Sequence, residues 1–417
     1  MNLTAIISFI FVFGVLVTVH EFGHFFIAKR SGVLVREFAI GMGPKLLSWN
    51  RNHTAYTIRI LPVGGYVRMA GMDETADLDA GQRLMLEFNA QQHVTTLDTR
   101  VEEAHDGVPF QVDSFDLSDA LTLTGYLNNA EELTTIVVDH DATIIEQNGI
   151  EVQIAPRDTW FQSAPLFKRA MINIAGPLMN FILAFIVFSG LGFAAPSVTL
   201  NEAVVGGVQN NMPAKQAGLQ ADDKIRSIDG QDTKSWQDVT ERISAANGKQ
   251  LTFVISRQGQ QKRVDVTPKT VKIDGVNSTL IGITAKTHTN ITARIQYGFV
   301  TTGMTIQQVW HALTHLFTGG FSLDKLGGPV SIARETSSVA RIGFLSILAF
   351  MAMLSINLGI MNLIPIPALD GGKLILNIIE GILRRPLPSI IENTVTIVGA
   401  VFLIVLMIAV TINDLLR

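Results

Sequence analysis

His20 and His24 stand four residues apart, so on a helix they share one face and can grip a single metal ion. Glu21, beside the first of them, is placed to act as general base toward an attacking water. The motif His20-Glu21-Phe22-Gly23-His24 lies inside an apolar run from Leu3 to Ala28. Ionisable side chains are costly within a spanning segment and are usually kept there for function. The expectation is hydrolysis inside a membrane; the bland alternative is a pair of hydrogen-bonded structural histidines.

A catalytic metal wants a third protein ligand and one open position, so the elements that could deliver that ligand come next. Four stretches are long and apolar enough to span: Leu3 to Ala28, Met171 to Phe193, Gly343 to Leu363 and Thr394 to Ile412. Lys29, Arg30, Arg36 and Lys45 follow the first, Lys168 and Arg169 precede the second, and Arg384 and Arg385 precede the fourth. By the positive-inside rule both termini face away from the cytosol. His20 is then about 26 Å along the first span, in its cytosolic half. The third span runs the same way and ends in Asn362-Leu-Ile-Pro-Ile-Pro-Ala-Leu-Asp370-Gly371, where two prolines break the helix. This delivers Asp370 to the depth of the histidines, against the simpler reading of Asp370-Gly371 as a turn. His20, His24 and Asp370 form the expected ligand set.

The 417 residues are 47% hydrophobic and 16% charged, which suits a chain that alternates between lipid and water. With 32 basic against 36 acidic residues and no basic run, nucleic-acid partners are not expected. The absence of cysteine excludes disulfides, thiolate metal sites and cysteine nucleophiles. The first span lacks a basic n-region and a small-residue cleavage pattern, so it is expected to stay in place rather than be removed as a signal peptide.

The reading divides the chain into a first span (1–28), a membrane-associated β-hairpin region (29–72), a cytosolic β-rich insert (73–166) and a second span (167–194). An extracytosolic domain (195–290), amphipathic interfacial helices (291–341), the third span (342–372), a cytosolic loop (373–392) and the fourth span (393–417) follow. In the β region, alternation such as Tyr56-Thr-Ile-Arg-Ile-Leu is interrupted by Gly41-Met-Gly43-Pro44 and Pro62-Val-Gly64-Gly65. The extracytosolic segment reads as strand, short helix, strand, amphipathic helix and strand pair, closing on a strand from Thr279 to Thr284. That order looks like a circularly permuted PDZ domain, with Leu280, Ile281, Gly282 and Ile283 as its peptide groove. A second pair, His311 and His315, lacks an adjacent glutamate and reads as part of an interfacial helix.

Together, His20-Glu-Phe-Gly-His24, Pro62-Val-Gly-Gly-Tyr-Val-Arg-Met69, Ala175-Gly-Pro-Leu-Met-Asn180 and Asn362 to Gly371 resemble the motifs of the bacterial site-2 proteases of the RseP/RasP/Eep family. The single PDZ-like segment and β-rich insert resemble the Gram-positive branch. The resemblance implies a polytopic α-helical membrane protein of four transmembrane helices in a plasma membrane. Its cofactor would be Zn2+, held by His20, His24 and Asp370 with Glu21 as base. It implies cleavage of transmembrane segments of single-span proteins, anti-sigma factors and signal-peptide remnants among them. Asn362 and Asn357 resemble the residues that hold substrate, and Gly41, Gly43, Gly64 and Gly65, in the segments that resemble the family's membrane-associated β region, are further substrate-binding candidates. The alternative of another class is a noncatalytic PDZ-bearing adaptor with a structural zinc; a metal transporter is weaker, since the fourth span offers almost no ligands.

Overall fold

A computed structural model describes residues 3–71, 78–100, 107–128, 130–147, 149–273, 276–318 and 327–416; the expected boundary at 72–73 lies outside them. By contact the chain forms two compact units, Met1–Leu183 with Ala312–Arg417, and Ala184–His311.

In the first unit, helix α1 (Leu3–Arg30) buries Ala5, Ser8, Val12, Leu16, His20, Gly23, His24 and Ala28. Those spacings of three and four make one stripe, and the histidines continue a packing face otherwise made of small and aliphatic residues. Strands β1 (Val35–Arg51) and β2 (Thr54–Met69) each bend back on themselves. Residues 35–40 pair with both 55–58 and 65–69, while 45–51 pair with 54–59. The two strands therefore build a four-segment antiparallel sheet in the order 65–69, 35–40, 55–58, 45–51. Gly41 makes the fold-back possible. Its φ is +89°, and a Cβ there would stand 2.5 Å from the Leu61 carbonyl oxygen. Met42, Leu46, Leu47, Trp49, Ile60 and Leu61 are exposed around the bends.

Glu37, in an inner segment, ties three segments together. Its Oε1 accepts from Thr57 Oγ1 at 2.7 Å and from Arg59 Nη2 at 2.8 Å, and Arg59 Nη2 also donates to the Tyr66 hydroxyl at 2.6 Å. Burial alone would raise the Glu37 pKa, but the hydrogen bonds from Thr57, Arg59 and Tyr66 outweigh it and hold the carboxyl below its usual range.

Six strands follow: β3 (Arg83–Phe88), β4 (Val94–Asp98), β5 (Val108–Asp116), β6 (Thr122–Leu127), β7 (Leu133–Ile145) and β8 (Glu151–Gln153). They hydrogen-bond in the order β4-β3-β5-β6-β7-β8, and a parallel pairing of β4 with β7 closes the first five into a barrel. Leu84, Leu86, Leu97, Phe110 and Leu123 fill its interior. A short 3-10 turn at Arg157–Thr159 leads to α2 (Leu166–Ala194).

The second unit begins within α2. It contains β9 (Val198–Thr199), β10 (Val205–Val208), α3 (Pro213–Gln216), β11 (Lys224–Ile228), β12 (Gln231–Asp232), α4 (Trp236–Ala245), β13 (Leu251–Arg257) and β14 (Gln260–Val266). After these come β15 (Lys269–Ile273), β16 (Val276–Leu280), β17 (Ile283–Ala285), β18 (Thr287–His288) and the start of α5 (Ile291–Thr318). The sheet β12-β11-β13-β14 packs Ile225, Ile228, Phe253 and Ile255 against Val239 and Ile243 of α4. The strand expected over Thr279 to Thr284 is divided. β16 ends at Leu280, Ile281 turns into the core with 1% exposure, Gly282 takes φ +83° against Met212, and β17 starts at Ile283 and pairs with β10.

The first unit resumes before α6 (Pro329–Ile342), α7 (Phe344–Leu363), α8 (Asp370–Leu383) and α9 (Ser389–Leu416). The segment expected as a loop over 373–392 is largely α8, because its apolar residues recur at helical spacing while Asp370, Asn377 and Glu380 share the buried side. Among the described residues, α1, α2, α7 and α9 are the helices long and apolar enough to cross a membrane, and they match the four expected spans, with Gly343 capping α7 instead of lying within it. α9 is the least buried of them. Gly399 on α9 lies against Pro367, where a Cβ would meet the proline carbonyl.

Replacing Glu37 by Gln removes the charge that Arg59 and Thr57 satisfy, and we expect a loss of about 1–3 kcal/mol at neutral pH. Because the folded carboxyl has a depressed pKa, this contribution is present above the ordinary carboxylate pKa and fades as pH falls through the folded value. Unfolding curves of the detergent-solubilised protein and Glu37→Gln should draw together as pH falls from the ordinary carboxylate value through the lower folded one; a pH-independent gap would contradict the assignment.

Candidate active site

α1 and α2 approach closely because glycines face each other's helix. A Cβ on Gly23 would stand 2.4 Å from the Ala175 carbonyl oxygen, and one on Gly176 would stand 2.3 Å from His24 Nε2. α2 thus presses its backbone against the imidazoles and anchors both. His24 Nδ1 lies 2.8 Å from the Ile172 carbonyl oxygen, so it carries the proton and donates it. His20 Nδ1 lies 3.0 Å from the side-chain amide of Asn180, which is fully buried. Among the described residues Asn180 Oδ1 has no partner, so a half-turn of the amide makes it the acceptor for Nδ1–H. Ser355 Oγ on α7 donates to the Asn180 carbonyl at 2.8 Å and holds that turn from behind. With both Nδ1 atoms engaged, both Nε2 atoms are left as lone-pair donors.

Asp370 opens α8. The chain between α7 and α8 folds back so tightly that Cβ atoms on Gly371 and Gly372 would each meet a carbonyl oxygen of residues 363–366 at 2.4 Å. This turn points the carboxylate at the histidines. Asp370 Oδ2 is 3.3 Å from Nε2 of His20 and 3.3 Å from Nε2 of His24, and the two Nε2 atoms are 3.3 Å apart. Bonds of 2.0–2.1 Å from a tetrahedral zinc to N and O ligands place neighbouring ligand atoms about 3.3–3.4 Å apart. The three atoms form one face of such a tetrahedron. All three residues are 8% exposed, and Oδ2 accepts no well-formed hydrogen bond among the described residues. A cation is the group that suits two lone pairs and a carboxylate oxygen converging there.

Glu21 is half-buried on the adjoining face of α1, within the electrostatic reach of His24, His20, Asp370 and Lys373. Gly65, on the outer segment of the four-segment sheet, lies directly against it. A Cβ at 65 would be 3.2 Å from Glu21 Cγ and 2.8 Å from Val17 Cγ1. Gly64 packs on the Met42 side chain, and Gly41 and Gly43, on either side of Met42, face Leu61. Asn357 and Asn362 are half-buried on α7 and make no side-chain hydrogen bond among the described residues. The metal-competent group among the described residues is His20, His24 and Asp370; His311 and His315 are exposed on α5 and do not join one. In the second unit a cleft of about 580 Å³ lies between α4 and α5, lined by Trp236, Gln237, Thr240, Tyr297 and Met304 and reaching Ala285. Leu280, Ile281, Gly282 and Ile283 do not line it.

Sequence spacing brings the motif and Asp370 to notice but not the anchors. Ile172 acts through its backbone, which no residue type announces, and Gly176 acts by having no side chain. Asn180 leaves one trace, an amide inside an apolar span.

The sequence profile of peptidase family M50 matches residues 8–406. The chain is 47% identical to a protein of Enterococcus faecalis named as protease eep, over 99% of both chains. It is 43% identical to a Lactococcus lactis protein named as a zinc metalloprotease, over 99% of this chain and 98% of the other. A Streptococcus pneumoniae protein of the same description is 41% identical over 99% and 98%. The PDZ domain of an SdrC-like protein from Listeria monocytogenes, a solved structure, is similar over 21% of this chain and 90% of its own, with 27% identity and a TM-score of 0.19. The chain belongs to peptidase family M50, the site-2 proteases, with its relatives in the Gram-positive, Eep-like group. It is a multi-pass membrane protein and a protease.

Gly176→Ala should push the His24 ring aside and lower metal affinity at least about tenfold, read as metal retained after dialysis against a graded chelator. Gly190→Ala, on the same helix with open space at its Cβ, should leave affinity unchanged. Equal retention by the two variants would refute the cradle.

Proposed function

We propose that the protein hydrolyses peptide bonds within transmembrane segments of single-span proteins, using zinc held by His20, His24 and Asp370. The observation that carries this is the buried triangle of ligand atoms with 3.3 Å edges, which matches zinc and has no other evident use. Bound zinc would supply Lewis-acid polarisation of the scissile carbonyl. Glu21 takes a proton from the attacking water and passes it to the leaving nitrogen. Asn180 and the Ile172 carbonyl hold the imidazoles in the tautomer that directs Nε2 inward.

A helical substrate hides every carbonyl in its own hydrogen bonds, so it must unwind to be cut. The 65–69 segment is an edge of its sheet and lies beside Glu21, so its open backbone groups can pair with an unwound stretch. Asn357 and Asn362 have amides free to bond the same stretch. The site lies near the cytosolic side with both termini outside, by the charge distribution around the spans. The insert is then cytosolic and the PDZ-like domain extracytosolic, where it excludes substrates that still carry bulky outer domains. Anti-sigma factors and signal-peptide remnants are the substrates that the resemblance to the RseP/RasP/Eep proteases favours.

Purified protein incubated with single-span substrates should cut them within the span and stop when chelated. Glu21→Gln should keep its zinc and lose cleavage by at least about 100-fold; zinc retention with full cleavage would remove the base assignment, and a normal cellular phenotype would favour the adaptor reading. Changing helix-breaking Pro or Gly in the substrate span to Leu should slow cutting; unaltered rates would count against unwinding.

A further inference from the structure

Arg169 on α2 and Glu380 on α8 are a buried ion pair. Arg169 Nη1 donates to Glu380 Oε2 at 2.6 Å, and the residues are 5% and 4% exposed. The other carboxylate oxygen is also engaged. Glu380 Oε1 accepts the Leu387 backbone N–H at 2.9 Å, in the turn between α8 and α9. The guanidinium sits 5.3 Å from the Phe161 ring centroid. Burying two charges costs about as much as their attraction returns, so such a pair is poorly explained as a stabiliser and better explained as a device that fixes registry.

Its place on the two helices says what is registered. Arg169 is one turn from Ile172, whose carbonyl holds His24, and on the same helix as Asn180, which holds His20. Glu380 is ten residues after Asp370, about 15 Å along α8, on the buried side shared with Asp370 and Asn377. The pair therefore ties the helix that anchors both histidines to the far end of the helix that carries the carboxylate. We propose that Arg169 and Glu380 are positioning residues which set where Asp370 stands relative to His20 and His24. At the other end of α8 the tight Gly371-Gly372 turn fixes where the helix starts, and the pair fixes where its far end lies against α2.

This rests on the metal-site reading, and the test separates the two. The full-length protein in detergent is loaded with Co2+, and the visible absorption, the rate of cobalt release to excess chelator and the thermal unfolding of the metal-free form are recorded. Wild type should take up one equivalent with a tetrahedral spectrum; failure to do so defeats the metal site and this inference with it. Glu380→Gln should release cobalt about 10–100 times faster with an altered spectrum. Arg169→Lys, which keeps the charge but not the planar fork, should fall between it and wild type. A lower unfolding temperature with unchanged spectrum and release rate would make the pair merely structural and overturn the proposal. Should Glu380→Gln not fold, Arg169→Lys decides on the same readouts, an unchanged release rate again being the overturning result.

Discussion

Two imidazoles and a carboxylate held 3.3 Å apart inside an apolar helix packing are the constraint around which the first unit is arranged. Each is a group that membrane surroundings penalise unless its polar atoms are met. The meeting is done by backbone as much as by side chains. α1 contributes a buried stripe in which Gly23 lets α2 approach between the histidines, α2 contributes a carbonyl, an amide and a bare glycine, and α7 buttresses α2 through Ser355. α8 starts where it does because two consecutive glycines let the preceding loop lie across its first turn.

The two β structures of that unit handle their edges in opposite ways. In the barrel, the parallel pairing of β4 with β7 closes the five strands from β4 round to β7 into a ring, so their backbone is paired internally. The sheet made by β1 and β2 is left unclosed, and its 65–69 border runs past Glu21. The unpaired backbone is thus kept at the place where hydrolysis is proposed.

Local spacing in the sequence conveyed the helix face of His20 and His24, and the prolines before Asp370 marked where a span ends. The number of membrane helices was legible too, since hydropathy over about 20 residues depends on no tertiary contact. What escaped was everything carried by distance in the chain. The fold-back of β1 and β2 into four segments turns on Gly41 and on pairing between residues some 30 apart. Ile281 reads as strand by its neighbours but is drawn into the core, and the division of that strand follows. Residues 373–392 read as a loop because charged and proline residues at 384–388 dominate the segment, although the helix ends before them. Arg169 reads as an orientation signal at a membrane boundary, and only the fold pairs it with Glu380.

The three residues proposed as ligands are also separated in time. His20 and His24 leave the ribosome at the start of synthesis and Asp370 near its end, roughly 350 residues later. At ~5–20 residues per second that is an interval of roughly 20 to 70 s. During it the nascent chain holds two of the three donor atoms and none of α8, so a newborn molecule carries its histidines through insertion without the carboxylate. Completion of the proposed donor set coincides with the arrival of the last helices.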